Sequence, residues 1–173
     1  MFVNKSMEEY YPCCGKSICS GCVYSFRMSG NMGICPFCNS DRDGKTGEDV
    51  LEDIMKRVEA NDPPSIAILA KYYYHGIVGV QQDQAKAMEL YARATELGLI
   101  KANCLLADIY HKGGDLKKAR FHVEAAAMAG HEVSRNNLGI LEAEYGTIDR
   151  AIKHCHCCIR WRTPCYATFE NMF

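Results

Sequence analysis

The chain has 173 residues, a formal charge of −1 from 20 Lys and Arg against 21 Asp and Glu, and 48% hydrophobic residues. This composition suits one or two small folded domains and excludes a disordered chain. A near-neutral charge supplies no general attraction for polyphosphate, so we expect no nucleic acid partner. The longest apolar run in the middle of the chain, Ile66 to Ala70, is far shorter than the ~20 residues of a membrane helix, so we expect no membrane span.

The N-terminus and the cysteines together indicate in which cellular compartment the chain is found. The first twelve residues carry Lys5, Glu8 and Glu9 where a signal peptide needs an apolar core. We therefore expect the chain in the cytoplasm or nucleus, where its 11 cysteines stay reduced. Clustered reduced thiols are typical of metal ligands rather than of disulfides.

Residues 10–42 form the first predicted domain, a small zinc-binding module. They hold six cysteines but few large aliphatic side chains, so a metal must supply the free energy that apolar burial cannot. Four of the cysteines form two C-x-x-C pairs, and two such pairs place four thiolates around a tetrahedral zinc ion with no open position for water. The sequence therefore predicts a structural zinc site without a catalytic residue, and the candidate ligands are Cys13, Cys14, Cys19, Cys22, Cys35 and Cys38.

Residues 43–61 form a predicted linker with a connecting helix. A polar turn precedes Glu48 to Ala60, in which Val50, Leu51, Ile54 and Val58 share one helical face. Two consecutive prolines follow at positions 63 and 64, and they exclude continuation of the same helix.

From residue 62 to 160 the sequence repeats itself. Ala87, Ala119 and Ala151 stand 32 residues apart, and a repeat of this length is typical of stacked helix pairs. The fold class is therefore mostly α: the zinc module followed by an α-solenoid of about three helix-turn-helix repeats. The expected helices span 65–75, 84–97, 101–112, 116–129, 132–144 and 148–160, and residues 161–173 form an irregular tail. The expected core residues are Leu69, Tyr73, Leu90, Tyr91, Leu106, Tyr110, Phe121 and Val123.

The repeated segment also carries a specific motif. The first unit contains Leu69-Ala70, Tyr74-His75-Gly76, Lys86-Ala87 and Leu90-Tyr91. These residues resemble the SEL-one-like repeats, a branch of the tetratricopeptide superfamily. The resemblance covers about residues 62–160 and implies a solenoid that binds a protein partner without catalysis.

The cysteine order, C-x-x-x-x-C-x-x-C from Cys14 followed by Cys-Pro-x-Cys, resembles the second half of a RING finger, the cross-braced two-zinc module of many ubiquitin ligases. The resemblance implies that Cys19 and Cys22 are the third ligand pair, which shares a zinc ion with the first pair. It also implies that Cys35 and Cys38 are the fourth pair, which shares a zinc ion with the second.

Two departures from the RING pattern leave the ligand set open. Cys14 begins the second pair, but the histidine of the family falls on Lys16, whose ammonium group cannot ligate zinc. Either the adjacent Cys13 replaces this histidine or the site is weak. Residues 1–12 hold no Cys or His, so the first pair is absent, and the module looks truncated or reduced to a one-zinc form. In a further alternative, a single zinc site is closed by Cys19, Cys22, Cys35 and Cys38.

Two functions follow from these resemblances. The first is a zinc-binding protein–protein interaction adaptor derived from a RING-type ligase, with a protein partner on the helical repeats. The alternative is an active RING-type ubiquitin ligase, in which the finger holds a ubiquitin-conjugating enzyme and the repeats recruit the substrate. In that case the ligase acts without a covalent intermediate.

Overall fold

The structure, a computed structural model, describes residues 8–144 and 149–152. Most of the helix expected at 148–160, and the whole tail 161–173, lie outside the described residues. The chain divides into two compact units between Leu97 and Gly98. The described elements are β1 (Glu8–Tyr11), β2 (Lys16–Cys19), α1 (Ser20–Met28), α2 (Gly47–Glu59), α3 (Pro63–His75), α4 (Gln84–Glu96), α5 (Ile100–Lys112), α6 (Leu116–Met128) and α7 (Glu132–Glu144).

The mostly helical fold class is confirmed by these elements. No helix in the described part of the chain has the length and apolarity needed to cross a membrane. The module, linker and repeat boundaries expected at residues 42, 61 and 160 stay predictions.

The first unit begins with an antiparallel hairpin of β1 and β2, with Glu8 opposite Cys19 and Tyr11 opposite Lys16. The loop between the strands turns because the carbonyl oxygen of Tyr11 accepts hydrogen bonds from the amides of Cys14 and Gly15. Gly15 adopts φ +64°, a value that side chains disfavour. The Tyr11 ring is buried and lies under the Arg42 guanidinium, so it forms the centre of the cysteine-rich segment.

Helix α2 occupies the stretch where a connecting helix is expected. Thr46 and Asp49 form a reciprocal capping box at its start, and Ile54 and Val58 are buried on one face. Asn61 then takes a left-handed conformation that ends the helical path.

Helix α3 begins two residues earlier than the expected Ser65. Its first positions are Pro63 and Pro64, and Asp62 caps it by accepting a hydrogen bond from the amide of Ser65. Prolines end the preceding helix as expected, but they also fit the first turn of the next one, where their missing amides have no partner to lose.

Small residues let the paired helices approach closely. In the first unit α3 packs on α4 through buried alanines, and Gly76 ends α3 with φ +65°, where an added Cβ would lie 3.1 Å from Gln82. In the second unit α6 packs on both α5 and α7. The buried small and aliphatic residues of the four repeat helices include Ala67, Ala70, Ala87, Ala94, Ala102, Leu106, Ala107, Ala119, Val123 and Ala126.

One expected core residue is wrong. Phe121 is 66% exposed, whereas Ala119 and Val123 on the same helix are buried. Residues two apart on an α-helix lie about 200° apart around the axis, so Phe121 faces away from the core that its neighbours form.

Candidate metal centre

Four of the six candidate ligands come together in the structure. Cys13 and Cys14 lie in the loop between β1 and β2, and Cys35 and Cys38 lie in the loop that follows α1. Their four sulfur atoms all lie within 4.8 Å of one another. The Sγ atoms of Cys14 and Cys35 are 3.8 Å apart, and those of Cys13 and Cys38 are also 3.8 Å apart.

Backbone hydrogen bonds fix the loop that carries the second pair. The amide of Cys35 donates to the carbonyl oxygen of Ser40, and the amide of Asn39 donates to the carbonyl oxygen of Cys35, both at 2.9 Å. Asn39 adopts φ +57°, which turns the chain back on itself. The loop thus directs two thiols to one side, with Cys35 fully buried and Cys38 exposed.

This donor set fits a tetrahedral metal ion. Four thiolates at the Zn–S length of about 2.3 Å form a tetrahedron with sulfur–sulfur edges of ~3.8 Å, which equals the two separations given above. The described cysteines are free thiols, so no disulfide competes for these sulfurs. The cluster could therefore hold a metal ion, and soft thiolate ligands favour zinc. Four protein ligands leave no position for water, so such a site is structural.

Crowding separates the pKa values of these thiols. The hydroxyl of Ser40, 3.2 Å from Cys38 Sγ, together with the thiol of Cys14, stabilises the Cys38 thiolate and lowers its pKa to about 6. The hydrogen bond with Cys38, followed by burial, raises the pKa of Cys14 to about 12. Burial also raises the pKa of Cys13. A coordinated cation reverses the last two effects, because a metal ion deprotonates the thiols that bind it.

A residue outside the cysteine-rich segment holds the first ligand loop. Arg57 on α2 donates from Nε to the carbonyl oxygen of Pro12 at 3.1 Å, and from Nη2 to that of Cys13 at 3.0 Å. The guanidinium fits because Gly15 has no side chain: an added Cβ would lie 3.3 Å from Arg57 Nη1. The sequence analysis missed Arg57, since no local pattern connects it with cysteines more than 40 positions away.

Tyr10 makes a second hydrogen-bonded connection between the cysteine-rich segment and the helices that follow it. Its hydroxyl donates to Asp62 Oδ2 at 2.6 Å and lies 2.7 Å from the hydroxyl of Ser65, which is fully buried. Burial and the hydrogen bond to Asp62 raise the pKa of Tyr10 to about 12, so the phenol stays protonated and continues to donate. The strand that precedes the ligand loop is therefore anchored at the start of α3.

The two remaining candidates, Cys19 and Cys22, form a separate pair. Their Sγ atoms are 3.4 Å apart and both side chains are exposed. Within residues 8–144 and 149–152 they join no group of three or more potential metal ligands. The structure thus brings Cys13 and Cys14 to Cys35 and Cys38, the grouping of the second and fourth pairs, and it does not form the alternative grouping of Cys19 and Cys22 with Cys35 and Cys38.

The second unit contains a cavity of about 240 Å³ among α5, α6 and α7. Its floor is apolar, from Ala107, Val123 and Leu141, and its rim includes Asp108 and Asn137. Cys104 also lines this cavity. Its sulfur is only partly buried and lies 2.9 Å from the hydroxyl of Ser134 and 3.3 Å from Nδ1 of His131.

Comparison with known families identifies the repeats. Residues 63–99 and 100–131 match the Sel1 repeat, one unit each, and these ranges enclose α3 with α4 and α5 with α6. Sel1 repeats generally mediate protein–protein interactions. No RING-finger family matches the cysteine-rich segment, and no curated protein shows significant similarity to the chain.

Proposed function

We propose that this chain, with two Sel1 repeats following a four-thiol cluster, is a zinc-binding adaptor that docks a protein partner in the cytoplasm or nucleus. The observation that carries the proposal is the convergence of four sulfurs within 4.8 Å, with two separations of 3.8 Å that suit tetrahedral zinc. The zinc ion is structural. It holds the loop after β1 against the loop after α1.

A metal is needed because the cysteine-rich segment has a small core. Among residues 8–46 only Tyr11, Val23 and Cys35 are buried apolar side chains. A structural zinc ion contributes about 10–16 kcal/mol in zinc-finger peptides, more than this core supplies. The repeats have their own apolar core, so their partner surface does not depend on the metal.

The partner site lies between the second repeat and α7, the helix that follows it. The cavity among α5, α6 and α7 suits an apolar side chain of an extended peptide, since its floor is apolar and the amide of Asn137 at its rim can pair with peptide groups. Peptides selected on the full chain from a displayed random library should bind Ile140→Lys at least tenfold more weakly, because Ile140 lines the cavity. They should bind Cys35→Ser equally well. Loss in Cys35→Ser alone would place the partner site on the zinc module instead.

Metal analysis of matched cysteine variants tests the zinc site. The purified chain should carry one zinc ion, and Cys35→Ser should lose it. The double variant Cys19→Ser/Cys22→Ser receives the same substitution in the same segment and should keep one zinc ion. Two zinc ions in the unaltered chain, or loss of the metal in the double variant, would contradict this ligand assignment.

The ubiquitin-ligase alternative rests on the resemblance to the RING family alone. Resemblance to the RING family implies that a ubiquitin-conjugating enzyme docks on an apolar residue within the first ligand pair, an aromatic residue after the third pair and the proline of the fourth. Pro36 is present, and Tyr24 on α1 is 65% exposed. Among the described residues, however, Cys19 and Cys22 join no further metal ligands, so no first ligand pair is formed. The apolar residue that this pair should hold in place for the conjugating enzyme is therefore missing from the docking surface.

We therefore propose that this 173-residue chain does not stimulate ubiquitin transfer. The test mixes the chain with activating enzyme, conjugating enzyme, ubiquitin and ATP. The expected result is the background rate of chain formation. Robust ubiquitin chains that disappear in Cys35→Ser would replace the adaptor with the ligase.

A further inference from the structure

A cysteine, a histidine and a serine form a cluster beside the cavity of the second unit. Cys104 Sγ on α5 lies 3.3 Å from Nδ1 of His131, the residue just before α7. The hydroxyl of Ser134 lies 2.9 Å from that sulfur and 2.9 Å from the same Nδ1. Cys104 and Ser134 both line the cavity. A thiol on the cavity lining therefore has an imidazole nitrogen within hydrogen-bond distance of its sulfur.

The start of α7 sets which nitrogen of this imidazole carries the proton. The amide of Ser134 donates to His131 Nδ1 at 3.2 Å, so Nδ1 carries the lone pair and the ring proton lies on Nε2. Burial raises the pKa of Cys104, so the thiol is protonated at neutral pH and must lose its proton before it can attack. Nδ1 can take that proton, directly or through the hydroxyl of Ser134, as the base of a Cys–His pair does.

We propose that Cys104 is a covalent modification site for an α,β-unsaturated aldehyde that carries an alkyl tail. His131 is the base, and the tail occupies the apolar floor of the cavity. The cavity, about 240 Å³, is smaller than the ~300–1,000 Å³ of sites for drug-sized ligands, so it suits a short chain. The adduct fills the cavity that the proposed function gives to a peptide, but the inference rests on the cavity itself and not on that assignment.

The addition balances without any further reactant. The Cys104 proton moves to His131 Nδ1, which releases the Ser134 amide, and the sulfur bonds to the β-carbon of the aldehyde as the carbon–carbon double bond opens. The electron pair moves to the carbonyl oxygen and forms an enolate, for which the side chain of Asn137 on the cavity lining offers an amide donor. His131 then gives the proton to the α-carbon. All atoms of the thiol and the aldehyde are in the product, and no group leaves.

An acyl thioester suits this cluster less well than an unsaturated aldehyde. Its reaction places an oxyanion on the carbon that binds the sulfur, and that oxygen needs donors close by. The amides of Ser134 and Arg135 at the start of α7 already donate to His131, the first to Nδ1 and the second to the carbonyl oxygen. In the unsaturated aldehyde the oxygen lies on a carbon two bonds from the new one, so its charge develops away from these occupied amides.

The test treats the full chain with limiting nonenal, which has a six-carbon tail, or with acrolein, which has none. Glutathione is added as a reference thiol, and borohydride reduction fixes the adducts for peptide mass mapping. The ratio of Cys104 adduct to glutathione adduct should be at least about tenfold higher with nonenal, because the cavity removes the tail from water. Ile140→Lys places a charge on the cavity lining and should abolish this preference for nonenal.

Two histidine variants test the base. His131→Asn keeps a capping oxygen at the start of α7 but cannot take the thiol proton, so Cys104 should react at least about tenfold more slowly with both aldehydes. His122→Asn is the matched control and should react as the unaltered chain does. The His122 ring stacks on Tyr110 and contacts Asn103 instead.

Three results would overturn the inference. Cys104 could stay unmodified while exposed cysteines react, its preference could be the same for nonenal and acrolein, or His131→Asn could react as fast as the unaltered chain. The comparison of the two aldehydes uses the unaltered chain, so it decides even if His131→Asn does not fold. The reaction needs neither zinc nor a peptide, so a failure of the proposed function would leave this result unchanged.

Discussion

The cysteine-rich segment, residues 8–46, and the repeat helices that follow are built on different sources of stability. The segment has two four-residue strands and a nine-residue helix, and few of its apolar side chains are buried. The four repeat helices are each thirteen residues long and bury an alanine-rich face. The contrast shows that apolar packing can hold the repeat helices together, whereas the cysteine-rich segment has little of it and carries a four-thiol cluster instead.

The segment is nevertheless tied to the helices of its own unit. Arg57 on α2 holds the backbone of the first ligand loop, and Tyr10 on β1 holds Asp62 at the start of α3. These contacts are a few hydrogen bonds and not apolar packing. We expect them to position the ligand loop but not to replace the metal as its source of stability.

Removal of zinc is expected to give the largest effect and the sharpest separation of the two regions. A chelator should unfold the cysteine-rich segment, residues 8–46, because the cluster contributes more than the buried side chains of the segment, and it should spare most of the helical signal. Circular dichroism measures the helices, and hydrogen exchange locates the loss. Cys35→Ser without chelator should show the same pattern. Loss of the entire helical signal on chelation would show that the repeats also depend on the metal.

Overpacking of the repeats is expected to produce the opposite pattern. Ala87 and Ala119 are essentially fully buried at close helix contacts. Substitution of either by Leu should destabilise the repeats by about 1–3 kcal/mol because the backbones must move apart, and zinc content should not change. Chemical denaturation followed by helical signal measures this. Lys71→Ala, at an exposed position of α3, is the control and should be neutral. Equal stability of all three variants would show that the alanines aligned at 32-residue intervals do not mark close helix contacts.

Arg57 tests the connection between the cysteine-rich segment and α2, the helix that leads to the repeats. Arg57→Ala removes both hydrogen bonds to the ligand loop and should weaken zinc affinity about tenfold, as loss of a group that orients metal ligands does. Competition with a chromophoric chelator measures the affinity. Lys56→Ala is a matched control, because Lys56 neighbours Arg57 on α2 but pairs with Glu52 at the surface. If both variants bind zinc as the unaltered chain does, Arg57 has no role in the metal centre.

The repeats could be predicted because their signals are periodic. Alanines recur at 32-residue intervals, and the second helix of each matched repeat begins after an oxygen-bearing cap, Asp83 for α4 and Asp115 for α6. Such patterns are local and add up over many residues. The error at Phe121 arose where one large apolar side chain was assigned to the core by its type rather than by its position around the helix.

The six cysteines could be named from the sequence, and the RING resemblance offered this grouping of four as one alternative, but the sequence alone could not decide between the alternatives. Cys13 and Cys14 are adjacent, and whether both can face one metal depends on the turn at Gly15 and on where the loop after α1 returns. Both are tertiary features. Arg57 and Tyr10 were missed for the same reason, because their partners are backbone groups or residues more than 40 positions away.

The smallest expected effect is a pH dependence confined to the repeats. Asp115 caps α6, and its pKa is lowered by the hydrogen bond from the backbone amide of Lys118 and by the nearby Lys118 side chain. Because the folded pKa lies below the unfolded value of 3.8, the cap contributes its full stability above that value and loses it as the pH falls through the lower, folded pKa.

Hydrogen exchange at the Lys118 amide, compared between about pH 6 and about pH 3 after correction for intrinsic exchange, should therefore show loss of protection at acid pH. Asp115→Asn keeps a capping oxygen and should flatten this dependence, since Asn caps about as well as Asp and does not titrate. Asp108→Asn, which breaks only a surface ion pair with Lys112 on α5, should leave the pH dependence of the Lys118 amide unchanged. A Lys118 amide that loses protection equally in Asp115→Asn would assign the acid sensitivity to another group in the second unit.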